Sequence, residues 1–85
     1  MVGRGEEIRL TARALLERVL PLVKERPETP AAAGTLAEAN ALLALARNAV
    51  PESPLIGAMR PLEAGSTLAQ LGTRLAALER AITFV

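Results

Sequence analysis

The sequence predicts an all-α protein: a compact four-helix bundle with a short third helix. Three observations carry this expectation. Apolar residues recur at spacings of three and four along three long stretches. Pro and Gly clusters separate those stretches. The supply for a core is aliphatic, with fifteen Leu, five Val and three Ile against a single aromatic, Phe84, in a chain that is 51% hydrophobic. At 85 residues the chain is expected to form one domain, residues 1–85, near the small end of what folds alone.

Gly3 and Gly5 predict a loose start over residues 1–5. Helix 1 is expected from about Glu6 to Arg26, with Ile8, Ala12, Leu15, Leu16, Val19, Leu20 and Val23 as its apolar set. Pro21 interrupts this pattern. It lacks an amide donor and crowds the carbonyl of Glu17, so a kink or a break is expected there.

The next two helix starts share one phrase. Pro27-Glu28-Thr29-Pro30 and Pro51-Glu52-Ser53-Pro54 each place a hydroxyl residue before a proline. Thr29 and Ser53 can cap a helix whose first position, occupied by Pro30 or Pro54, needs no amide partner. Helix 2 is expected over about Pro30 to Val50, carrying only Glu38 and Arg47 as charges. Leu36, Ala39, Leu42, Leu43, Leu45, Ala46, Ala49 and Val50 cover about half of its circumference. An apolar arc wider than one neighbour requires predicts that helix 2 is the centre of the bundle, with Asn40, Arg47 and Asn48 on its wetter side. Helix 3 is expected to be short, from Pro54 to about Arg60, contributing Leu55, Ile56 and Met59.

Helix 4 follows Gly65-Ser66. Thr67 with Gln70 three residues on is a capping-box pattern, a hydroxyl and an amide satisfying each other's backbone donors. Leu68, Leu71, Leu75, Leu78 and Ile82 then step by three, four, three and four. This seam, about 80° wide, is the pattern of a helix lying along one other helix. Arg74 and Glu79 fall at the flanking positions that pair across a parallel two-helix interface. These seven residues are the candidate partner interface, and Leu75→Glu is expected to dissociate an oligomer while sparing helicity.

Composition narrows the function. The chain has no His, Cys, Asp, Tyr or Trp, and its only Lys is Lys24. Imidazole catalysis, thiolate chemistry, disulfides and stacking on bases all lose their usual side chains. Ser53 and Ser66 have no activating base, the isolated glycines form no phosphate cradle, and no Glu spacing resembles a metal loop. No catalytic residue, metal or cofactor is expected, and the protein is expected not to be an enzyme.

The mean hydropathy of +0.29 is high for a small domain and favours an apolar partner. The expected function is therefore a small non-enzymatic protein–protein interaction module, self-associating as a homo-oligomer or docking on a helical partner. The alternative is a nucleic-acid-associated regulator using Arg4, Arg9, Arg13, Arg18, Lys24 and Arg26 of helix 1. Thr67-Leu-Ala-Gln-Leu-Gly72 loosely resembles the first helix and turn of a helix-turn-helix. A net charge of +1 and four Glu in the same helix weaken that alternative. The P-x-x-P spacings of Pro27–Pro30 and Pro51–Pro54 are accounted for by helix starts, and the C-terminal Thr83-Phe84-Val85 has the form that strand-adding domains capture. With no spanning segment or apolar leader, a cytoplasmic location without membrane association is expected.

Overall fold

The computed structural model describes residues 4–83 and contains four helices: α1 (Arg4–Glu25), α2 (Ala33–Ala49), the short α3 (Pro54–Ala58) and α4 (Leu68–Thr83). They form a compact all-α bundle, with a radius of gyration of 12.3 Å against about 11.9 Å for a typical folded chain of this length. The carboxyl-terminal motif ending in Phe84 and Val85 extends beyond the described residues.

The core is built on α4. Leu71, Leu75 and Leu78 are fully buried, and Leu68 and Ile82 are nearly so. The narrow Leu seam lies along α1, whose Ile8, Ala12, Leu15 and Val19 are buried from the other side. The two helices run antiparallel, with Gly5 near Ile82 at one end and Gly72 near Val23 at the other. A Cβ at Gly72 would lie 3.2 Å from Val23 Cγ2, so the missing side chain allows this close approach.

The expectation that α2 is central is overturned. The principal interface is between α1 and α4, and α2 packs mainly on α1, touching α4 less. It buries Leu36, Ala39, Leu42, Leu43 and Ala46 and leaves Leu45 half exposed.

Helix 1 differs from expectation at its start, and of the two outcomes expected at Pro21 the break is absent. It begins at Arg4, so Gly5 is helical rather than loose, and Pro21 lies within it without ending it. The break is avoided because Pro21 is on the exposed side, where the Glu17 carbonyl it deprives can turn to water.

The two Pro-Glu-hydroxyl-Pro phrases diverge. Ser53 caps α3 as expected, its Oγ accepting from the Ile56 amide at 3.3 Å. Thr29 caps nothing. Residues 29–31 instead pair with residues 66–68: the Leu68 amide donates to the Thr29 carbonyl and the Ala31 amide to the Ser66 carbonyl, each at 2.8 Å. Pro30 and Thr67 form an isolated antiparallel bridge there. Thr29 precedes a proline and is biased toward this extended form. Consequently α2 starts at Ala33, with Ala32 as a cap residue that offers no side-chain hydrogen bond.

This pairing completes the start of α4. The amides of Leu68 and Ala69 donate to the carbonyls of Thr29 and Pro27, and the Gln70 amide donates to Thr67 Oγ1. Gln70 Oε1 accepts from the Thr67 amide at 2.8 Å, so the capping box forms as expected. The three donors opening the helix, which have no partner inside it, are all satisfied.

Candidate interaction surface

An apolar concave surface runs between α1 and α2. Leu15, Arg18, Glu38, Ala41, Leu42 and Leu45, with Thr11 and Ala14, line a groove of about 490 Å³. It continues into a smaller hollow of about 290 Å³ between Glu7, Ile8, Thr11, Leu42 and Leu45. The helical repeat explains the lining. On α1, Glu7, Thr11, Ala14 and Arg18 are spaced by four, three and four; on α2, Glu38, Ala41 and Leu45 are spaced by three and four. Both stripes lie on the edges of their helices, above the buried Leu15 and Leu42.

Small side chains make this surface concave. Ala14, Ala37, Ala41 and Ala44 are exposed, and Leu45 stands out among them at 49% exposure. Leu22, one turn beyond Arg18 on α1, is exposed at 47%. Polar groups are few and already engaged. Arg18 Nη2 donates to Glu38 Oε2 at 3.0 Å across the groove's end. Thr11 Oγ1 donates to the Glu7 carbonyl at 2.8 Å, within its own helix.

The residues singled out from sequence are brought together, but facing inward. Leu68, Leu71, Leu75, Leu78 and Ile82 pack in the chain's own core and present no surface to a partner in this fold. Arg74 donates through Nη1 to the Arg60 carbonyl, and Glu79 accepts from Arg13 Nη1 at 3.3 Å, so both flanking residues act within the chain. The physical reason is that a two-heptad seam fits any single neighbouring helix, and α1 of the same chain is tethered beside it. Leu75→Glu would then place a charge in the core and unfold the chain.

Most of the α1 arginines are matched by carboxylates. Arg9 pairs with Glu6 at 3.7 Å, Arg13 with Glu17 at 3.2 Å and with Glu79, and Arg18 with Glu38. The Glu17 carboxylate accepting from Nε raises the Arg13 guanidinium above its ordinary pKa, with the Glu79 charge adding to the effect. This pattern does not make a phosphate-tracking face. Gly72 lies inside an unbroken α4, so the helix-turn-helix likeness has no turn.

A second concavity, of about 550 Å³, lies between α4 and residues 59–63. Part of its polar lining is turned to internal use: Ser66 Oγ donates to the Glu63 carbonyl, Gln70 belongs to the capping box, and Arg74 donates to the Arg60 carbonyl. Asn40, expected on the wet side of α2, anchors the same segment. Its Nδ2 donates to the Leu62 carbonyl at 3.0 Å and its Oδ1 accepts from the Leu62 amide at 2.7 Å.

Among the described residues, no group of three or more carboxylates is placed to hold a metal ion, and no helix is long and apolar enough to cross a membrane. Comparison with known protein families, with curated proteins and with solved structures finds no match to this chain.

Proposed function

We propose that this protein is a non-enzymatic helical interaction module, and that its docking surface is the α1–α2 face rather than the Leu seam of α4. The observation that carries the reading is the half-exposed Leu45, set beside exposed alanines and an apolar groove whose few polar groups are satisfied. Such a face gains from covering by another apolar helix, at about 25 cal/mol for each Å² removed from water. The mechanism is burial of aliphatic surface, with a side chain of the incoming helix seated between Thr11, Ala14 and Ala41. The charges at the groove's ends set its direction.

The test is site-specific photo-crosslinking in cells that express the full chain. A photoreactive residue replaces Leu45 in one variant and Leu55, exposed at 64% on α3, in the other. A discrete adduct is expected from position 45 and none from position 55. No adduct from position 45, or the same adducts from both positions, overturns the reading.

A further inference from the structure

We infer that the α1–α2 face is closed by a second copy of this chain, packed antiparallel about a two-fold axis that crosses the face near Ala14 and Ala41. The inference rests on the reading of that face as the docking surface.

Area is the first argument. The 17 residues of α2 span about 25 Å, and two helices side by side are about 20 Å across. The face is therefore roughly 500 Å² in flat projection and larger when its grooves are followed. A specific two-chain interface at the low end needs about 600 Å² from each partner, which this face can supply.

Charge is the second argument, and it selects a copy of the same chain. Glu7 and Arg18 occupy one stripe of α1, separated by three turns, or about 16 Å. A two-fold that reverses the helix direction carries each Glu7 to within a helical turn of the other copy's Arg18. It also holds the two Glu7 carboxylates well apart. Arg18 can accept this second partner: its side chain is 62% exposed, and a guanidinium has more donors than the one bonded to Glu38. One chain thus supplies both signs that the other needs, as an isologous contact requires.

Shape agrees. Reversal about Ala41 sets the protruding Leu45 opposite the other copy's Ala37, where the surface is low, and the exchange is reciprocal.

Sedimentation equilibrium on the purified full chain, from low micromolar to millimolar, tests the inference. The mass is expected to rise from one chain to two across this range. Leu45→Glu is expected to weaken association roughly thirtyfold or more, with the helical circular dichroism unchanged because the residue is already half exposed. Glu7→Arg, which sets like charges together across the axis, is expected to weaken it about tenfold. Ala41→Glu is a second probe of the face at an exposed site. A single-chain mass at every concentration overturns the inference, and so does a dimer that neither Leu45→Glu nor Ala41→Glu weakens. If the chain is monomeric while position 45 still yields a crosslinked adduct of another mass, the second copy is wrong and the docking surface stands. If position 45 yields no adduct at all, both readings fall.

Discussion

Leu75 and Leu55 show how position, rather than residue type, decides what a leucine does. Leu75 is fully buried between α1 and α4, whereas Leu55 is 64% exposed on α3. Leu75→Ala is expected to destabilise the chain by about 2–5 kcal/mol, through lost transfer energy and the cavity left behind. Leu55→Ala is expected to stay within about 0.5 kcal/mol of the parent. Urea unfolding of both variants checks the contrast, and similar losses in the two would place the core elsewhere. Asn40 is the polar counterpart. Its amide satisfies both backbone groups of Leu62 in a partly buried setting, so Asn40→Ala leaves a donor and an acceptor without a partner. A loss of about 1–3 kcal/mol is expected by the same measurement. Nothing in the spacing of α2 marks Asn40 for this role, because its partner is a loop twenty-two positions away.

At the scale of the element, the helices differ in how far their own sequence determines them. The opening of α4 is local, apart from two carbonyls lent by the α1–α2 linker. Thr67→Ala removes the cap on the Gln70 amide and is expected to cost about 1 kcal/mol in thermal or urea unfolding. In α1 the local preference and the fold disagree. Pro21 sits in a continuous helix, where it removes a hydrogen bond and crowds the preceding turn. The packing of α1 along α4 keeps the helix intact on both sides of it. Pro21→Ala is therefore expected to stabilise the chain by about 1–3 kcal/mol. A destabilised Pro21→Ala protein would mean that the local backbone Pro21 imposes is needed for the fit of Val23 against Gly72.

For the whole molecule, the charge inventory predicts an unusual indifference to pH. No side chain present has an ordinary pKa between about 6 and 9. Among the described residues, the Arg13 guanidinium is held above its ordinary pKa, first by its hydrogen bond to Glu17 and then by the Glu79 charge. A cation raised in the folded state contributes its stability below the unfolded pKa and loses it as pH rises through the folded value. That window lies in strong alkali, so Arg13 leaves neutral pH untouched. The melting temperature is expected to be flat from about pH 6 to 9. A fall of several degrees within that range would point to a titrating group that the fold does not account for.

The sequence by itself determined the helical class, the short α3 with its Ser53 cap, the Thr67–Gln70 capping box and the membership of the α4 seam. Each depends on residues within a turn or two of one another, where spacing and side-chain chemistry are sufficient. Tertiary structure alone decided where those surfaces point. The α4 seam could have met another chain, but it met α1 of its own. The wide apolar arc of α2 could have meant a central helix. Instead it left Leu45 at the edge of an open groove, because a half-circumference apolar face is compatible both with two covering neighbours and with one neighbour and a vacancy. Thr29 could have capped a helix, but its carbonyl was taken by Leu68, thirty-nine residues away. Periodicity records which residues share a face and is silent on what covers it, because that depends on how the connections bring separate helices together.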